Sequence, residues 1–290
     1  DFAMSGLYSQ HLHNRKVVYL RNGLIFVLLS LLAVVTLFPI YYMLVSSFGP
    51  PVEAGGASYS LFPKNISLDS YQFFFNFSKH SYRWLLNSLI VSCSVVIGNV
   101  VFAGLAGYAF AKIRFKGRNF LFFALLCAMM IPYQVTQVPL YMLVVNTLQM
   151  DNSYVALIAP TFVTAYNVFL CKQFMSSLPT EIIESAKIEG CNQLQIYLRI
   201  IMPLSKTVLA VMAILTFMSS WNTFFWPFLV TSKEYMQTIQ VGLKNFKFAN
   251  TTYFAPMMAG ATISALPMFI LFFSLQKYFL EGVTIGAVKG

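Results

Sequence analysis

Charge is what this chain of 290 residues has least of. Only 10% of its residues are Asp, Glu, Lys or Arg, where a soluble domain carries about 25%. Six windows hold none at all: 22–52, 84–111, 119–150, 152–171, 207–232 and 248–276. Each is at least twenty residues long, the length that spans a hydrocarbon core. A charge at mid-membrane costs about 2.5–3.5 kcal/mol on insertion scales, and every charge here sits outside these windows. A water-soluble fold is thereby excluded, because six long uncharged runs need a solvent that is apolar throughout.

Other scarcities exclude chemistry. The three histidines, His11, His13 and His80, all fall outside the apolar windows. The four cysteines are scattered without metal-ligand spacing, so neither a metal site nor a disulfide framework is expected. There is no Gly-x-x-x-x-Gly-Lys-Ser/Thr loop to cradle a nucleotide. The absence of acid or base inside the windows argues against a proton-coupled carrier and against an intramembrane hydrolase. A passive pore or a carrier using carbonyl oxygens stays open. The chain is expected to be no enzyme, and the energy for any transport must come from another subunit.

What is present is an all-α, multi-pass membrane protein. Six transmembrane helices are predicted over about 22–47, 83–111, 119–145, 152–175, 207–230 and 255–279. With both termini in the cytoplasm, 13 of the 19 Lys and Arg residues lie inside, as the positive-inside rule requires. Topology and contact with anionic membrane lipid then account for the net charge of +10, and no nucleic acid is needed. The expected organisation is a cytoplasmic leader at 1–21, one six-helix domain at 22–280 and a cytoplasmic tail at 281–290. Ala103, Gly107 and Ala111 make a small-residue face on the second helix, which admits a close helix neighbour.

Between the fourth and fifth helices lies a cytoplasmic loop, 176–206, containing "EIIESAKIEG". Residues 181–189 form a short amphipathic helix, with Pro179 at its entry and Thr180 as N-cap. Gly190 sits where a left-handed cap ends it. Such a helix either lies on the lipid surface or docks onto a soluble partner, with small Ala186 allowing close approach. The physics of the segment leaves both open.

The segment "ESAKIEGCNQLQIYLRIIMP" resembles the signature loop of the membrane subunits of binding-protein-dependent ABC importers. That pattern is Glu-Ala-Ala, three residues, Gly, nine residues, then Ile-x-Leu-Pro. Here it reads Glu184, Ser185, Ala186, Gly190, Ile200, Met202 and Pro203. The stretches "AGYAFAKIRFKGR", "PLYMLVVNTLQMDNSYVALI", "SSWNTFFWP" and "QKYFLEGVTIGAVKG" resemble the carbohydrate-uptake branch, in particular its smaller maltose-transporter type of permease. The resemblance implies that Glu184, Ser185, Ala186, Gly190, Ile200 and Pro203 couple the chain to an ABC ATPase dimer. That dimer, not this chain, would bind ATP and Mg. It further implies a second homologous permease subunit, an extracytoplasmic sugar-binding protein contacting the loop 231–254, and a tail, "IGAVKG", reaching toward the ATPase.

On this reading the chain sits in a bacterial or archaeal cytoplasmic (inner) membrane and imports a sugar or oligosaccharide by alternating access. A non-sugar solute, or a stand-alone channel or ion-coupled carrier, are the alternatives. Sugars are held by aromatic faces and a few polar groups. Trp221, Asn222 and Gln134 are therefore expected along the solute path, near Tyr133, Gln137, Asn167, Phe225 and Trp226.

Overall fold

The computed structural model describes residues 2–51, 61–62, 66–247 and 253–287; the side chains of 2–17 and 278–287 are outside that description. Part of the segment 48–82, part of the loop 231–254, the first residue, the last three residues and the side chains of His11 and His13 therefore lie outside the described residues. The chain forms two compact units. The first comprises residues 1–73 and 253–262. The second comprises 74–252 and 263–290.

In the first unit, helix α1 runs from Phe2 to Ser47. The boundary expected at 21/22 falls inside it, so no change of secondary structure marks the leader. From Val18 onward α1 is long and apolar enough to cross a membrane, and its most apolar window is unburied by this chain. The start of helix α2, Asp69–Phe77, is tied back to the end of α1. The Ser47 and Tyr71 hydroxyls lie 2.7 Å apart, and Ser70 donates to the Gly49 carbonyl at 2.6 Å.

The second unit is built on helix α3, Ser81–Lys112, also apolar enough to span. Its small-residue face performs the packing role expected of it. Ala103 is fully buried, and a Cβ on Gly107 would land on Cys171 Cβ and press the Lys172 backbone. Gly107→Ala must therefore push apart α3 and the helix beside it. Overpacking of this kind costs about 1–3 kcal/mol. We expect a lowered thermal midpoint in detergent; an unchanged midpoint would show that the contact is looser than described.

The next three pairs of helices are bent. Helices α4, Arg118–Met129, and α5, Tyr133–Thr147, meet at 93°. Pro132 causes the break: it lacks the N–H that would continue α4, and it biases Ile131 out of the helical region. Helices α6, Tyr154–Thr161, and α7, Ala165–Ser176, meet at 41°. Helix α8 covers Thr180–Ile188. Helices α9, Gln193–Leu204, and α10, Lys206–Asn222, meet at 80°. The predicted fifth span is thus interrupted: Thr223 and Phe224 separate α10 from α11, Phe225–Val230. A short α12, Ile239–Lys244, follows.

Helix α13, Phe254–Ala287, runs through the expected 280/281 boundary without a break. Three helices are long and apolar enough to cross a membrane alone, and the three bent pairs pass the same test together. Two clusters make the core of the second unit. One joins α3, α7, α8, α9 and α10. The other joins α3, α5, α6 and α11.

Candidate functional site: a docking loop and a polar cavity

The loop between α7 and α10 is two helices joined by a glycine turn. Helix α8 begins one residue earlier than the sequence suggests. Pro179 occupies the N-cap position, and Thr180 is the first helical residue rather than the cap. Its C-terminus closes as a Schellman motif. Gly190 N–H donates to the Lys187 carbonyl and Cys191 N–H to the Ala186 carbonyl, both at 3.0 Å. Gly190 has φ +84°, a left-handed conformation that glycine adopts without steric cost. Asn192 and Gln195 then form a reciprocal capping box that starts α9.

One side of this loop is glued to its own chain. Ile183 is 2% exposed and packs, with Ala186, into the cluster formed by Ile196, Tyr197, Ile201 and Met212. Burying an Ile side chain is worth about 1.5–3 kcal/mol. The Lys112 ammonium, at the end of α3, donates to the Leu178 carbonyl at 2.5 Å and stands 3.5 Å from the Ser176 carbonyl and Thr180 Oγ1. Tyr108 and Gln193 are joined at 2.8 Å. The loop is therefore a rigid extension of α3 and α7.

The other side is bare. Glu181, Glu184, Ser185, Lys187 and Gly190 are exposed, and Ile188 is 88% exposed. The six residues of the signature divide accordingly. Glu184 and Ser185 face outward, and Gly190 makes the turn. Ala186 faces inward, so its small size serves packing within this chain rather than close approach by a partner. Ile200 is partly buried against the same core, and Pro203 is exposed in the last turn before α10. Sequence reasoning passed over Ile188. The signal available was a large aliphatic residue amid charges, just before the cap.

The second feature is a cavity of about 520 Å³ in the second unit. Its walls come from α3 (Val91, Val95), from Tyr133 on α5, from Leu157 and Thr161 on α6, and from Thr164 and the start of α7. The remaining wall is Leu215, Thr216, Ser219 and Ser220 on α10, then Thr223, Trp226 and Pro227. Three interruptions open onto it, and the bend between α9 and α10 at Ser205 does not: Tyr133 follows the break at Pro132, Thr161 and Thr164 flank the break between α6 and α7, and Thr223 lies in the gap between α10 and α11. Irregular backbone at membrane depth persists where it is buried in protein or lines a water-filled cavity.

A buried polar network forms its floor. Asn99 is fully buried and donates through Nδ2 to the carbonyls of Val95 and Thr161, each at 2.9 Å. Its Oδ1 accepts from Thr164 N–H at 2.9 Å, from the Thr164 hydroxyl at 3.2 Å and from Asn167 Nδ2 at 2.8 Å. Asn167 Nδ2 also donates to Thr216 Oγ1 at 2.9 Å. Asn99 thus straps the break between α6 and α7.

Trp221, Asn222 and Gln134, the three residues expected on the solute path, each have a distinct setting. Trp221 is buried and stacks on Phe217 with ring centres 5.4 Å apart. Its indole N–H donates to the Ser264 carbonyl at 3.0 Å, a link to α13. Asn222 turns its amide back to the Met218 carbonyl at 2.9 Å. Gln134 is exposed on α5 beside Tyr133. None of them belongs to the cavity wall. Their neighbours do: Tyr133, Asn167 and Trp226, with hydroxyl residues that sequence reasoning passed over. The signal was a set of Ser and Thr near Pro160 and Pro227 in otherwise apolar windows. Among the described residues no group of three or more His, Cys, Asp and Glu side chains is placed to hold a metal, and all four cysteines are free thiols.

Comparison with known proteins adds to this geometry. Residues 99–285 match the family model described as binding-protein-dependent transport system inner membrane component. The chain is 34% identical over 278 residues to the arabinooligosaccharides transport system permease protein AraQ of Halalkalibacterium halodurans, covering 95% of this chain and 99% of that one. Its identity to AraQ of Bacillus subtilis is 36% over 269 residues, covering 92% and 94%. Its identity to the sn-glycerol-3-phosphate transport system permease protein UgpE of Escherichia coli is 30% over 256 residues, covering 86% and 91%. A chain of a bacterial ABC transporter involved in the import of the acidic polysaccharide alginate shares the fold, with a TM-score of 0.77 at 24% identity, covering 87% of this chain and 94% of that one. This chain is a member of the family of binding-protein-dependent transport system inner membrane components.

Proposed function

We propose that the chain is one of two permease subunits of an importer that moves a sugar or oligosaccharide inward, driven by ATP hydrolysis on separate subunits. The observation that carries this reading is the loop of Thr180 to Pro203. It is anchored on one side by Ile183, Ala186 and Lys112, and on the other it presents Glu184 and an unburied Ile188. A charged ridge with an exposed aliphatic tip fits the cleft of a soluble partner better than a lipid surface, which would favour cations on that face. Motion of that partner would pass through α8 into α3, α7 and α9, whose core it shares. The names of the AraQ relatives support an oligosaccharide as solute.

The same reading places both termini and α8 in the cytoplasm and counts each bent pair as crossing or skirting the membrane once. The fifth crossing is α10 with α11, and α9 lies along the inner surface. ATP and Mg belong to the ATPase dimer, and an extracytoplasmic binding protein delivers the solute. The organisation remains a leader, one six-helix domain and a tail.

The test is to recover the tagged chain from native membranes in mild detergent and identify what accompanies it. An ABC ATPase, a second permease and a solute-binding protein are expected. Recovery of the chain alone, where a control importer stays whole, would return it to the class of stand-alone carriers.

A further inference from the structure

The turn that joins α3 to α4 carries four basic residues within seven positions: Lys112, Arg114, Lys116 and Arg118. One of the four is spent, because the Lys112 ammonium is committed to the Leu178 carbonyl. The other three form no ion pair among the described residues, and Arg114 and Lys116 make no side-chain hydrogen bond there. Arg118 is half-buried and rests one nitrogen on the Ile113 carbonyl at 3.4 Å. Its remaining donors are unused. Arg114 and Arg118 stand on opposite sides of a hollow of about 320 Å³, completed by Phe115, Gly117, Asn119 and Phe120. Two guanidinium groups and one carboxamide line it, and no acid does. The turn is already fixed in place. Phe110 of α3 packs on Phe115 with ring centres 5.9 Å apart and on Phe122 of α4 at 5.5 Å. Like charges held this close repel one another, and nothing among the described residues relieves that.

We infer that the turn 112–118 is a binding site for the headgroup phosphate of an anionic phospholipid, with Arg114 and Arg118 as its ligands. The position of the hollow selects a lipid. Lys112 closes the uncharged window 84–111, and Arg118 immediately precedes the window 119–150. The two guanidinium groups therefore stand at headgroup depth, where a membrane span meets water. Phe120, Leu121 and Phe123 are exposed just beyond them on α4 and lie where acyl chains begin. A guanidinium presents a planar fork of N–H donors that matches two phosphate oxygens at once. Lys116, exposed beside the hollow, adds attraction to a negative surface without a fixed contact. A zwitterionic headgroup brings its own cation toward three unpaired ones, so a lipid of net negative charge is preferred. This site needs only α3 and α4 in the membrane; it is independent of which solute the chain carries.

The test is a lipid titration of the detergent-purified complex, read by native mass spectrometry. Phosphatidylglycerol and phosphatidylcholine of the same acyl chains are compared, with inorganic phosphate as a soluble competitor. Phosphatidylglycerol should bind at least tenfold more tightly than phosphatidylcholine. The double change Arg114→Gln with Arg118→Gln should weaken phosphatidylglycerol about twenty-five-fold, since each basic residue near an anionic surface contributes roughly a factor of five. Phosphatidylcholine binding should not move. Lys79→Gln with Lys247→Gln removes the same charge from two other exposed positions and should change neither lipid. Arg114→Lys with Arg118→Lys keeps the charge but loses the forks, and should fall between the parent and the glutamine pair; it carries the test if the glutamine pair does not fold. Equal binding of the two lipids by the parent would overturn the site, as would a loss of phosphatidylglycerol binding in the Lys79 and Lys247 pair as large as in the arginine pair. Displacement of phosphatidylglycerol by millimolar inorganic phosphate would assign the hollow to a soluble anion and overturn the lipid. None of these outcomes bears on solute import, which the co-purification above tests separately.

Discussion

With Gly190 replaced by valine, the chain is expected to reach the membrane but to lose solute-stimulated ATP hydrolysis in the assembled importer. Gly190 holds φ +84°, and a Cβ there would meet nothing within 4 Å. The penalty is therefore conformational and not a clash. A residue forced into the left-handed region costs about 1–3 kcal/mol, and a β-branched side chain is the least tolerant of it. The chain relieves that strain by giving up the two Schellman hydrogen bonds, from Gly190 and Cys191. The end of α8 then frays, and Ile188 and Glu184 lose their fixed positions.

Since about 1.4 kcal/mol is a factor of ten, coupling should fall roughly tenfold to a hundredfold. A graded series separates this cause from a general lesion. Gly190→Asn should behave nearly as the parent, because asparagine tolerates the conformation, with Gly190→Ala in between. An Ile188→Glu change should abolish ATPase binding without touching the turn, since Ile188 is 88% exposed. If valine at 190 couples as well as glycine, the turn is not what holds the docking helix.

The second large effect is expected at Asn99. Five hydrogen bonds meet on its carboxamide, and Asn99→Leu removes all of them. The Val95 carbonyl keeps a helical partner in the Asn99 backbone N–H. The Thr164 N–H and one Asn167 amide proton do not, and a buried donor left unpaired costs about 1–3 kcal/mol. Measured side-chain bonds between membrane helices average nearer 0.6 kcal/mol, so the lower half of that range is the better guide, giving about 2 kcal/mol for the two. The midpoint of thermal unfolding should drop by roughly 4–8 °C. Uptake should fall further than stability does, because the break at 162–164 forms part of the cavity wall. Ser219→Ala, which breaks no side-chain hydrogen bond, serves as the control and should leave the midpoint in place. An unaltered midpoint in Asn99→Leu would mean that the strap across the break carries no load.

Much of the molecule could be read before its structure was known, and the reason is locality. Whether a segment enters a membrane depends on its own composition, so the uncharged windows located the three long apolar spans, Val18–Ser47, Ser81–Lys112 and Phe254–Lys277, to within a few residues, though not the ends of the helices that carry them. The turn at Gly190 depends on one residue's φ, and the capping residues around it lie in the same ten positions. The break at Pro132, inside the predicted span 119–145, also has a local cause, since proline removes its own N–H. The close approach of α3 to α7 was legible in Ala103 and Gly107, since only small residues permit it.

What stayed hidden involved choosing among equivalent faces. Ile182, Ile183 and Ala186 make one apolar strip on paper. Only the neighbours in α9 and α10 turn Ile183 and Ala186 inward and leave Ile182 and Ile188 outside. Trp221 and Asn222 sit beside the cavity in sequence, yet each side chain is satisfied by a carbonyl, of Ser264 in one case and of Met218 in the other. The cavity itself is assembled from six helices and three of the chain's breaks, far apart in sequence. The membrane class, the apolar helices and the turn at Gly190 followed from the sequence, because solvation and backbone preference are properties of short segments. The facing of Ala186, the hub at Asn99 and the identity of the cavity wall came from the fold, because a hydrogen-bond partner or a packing neighbour is chosen by distance in space.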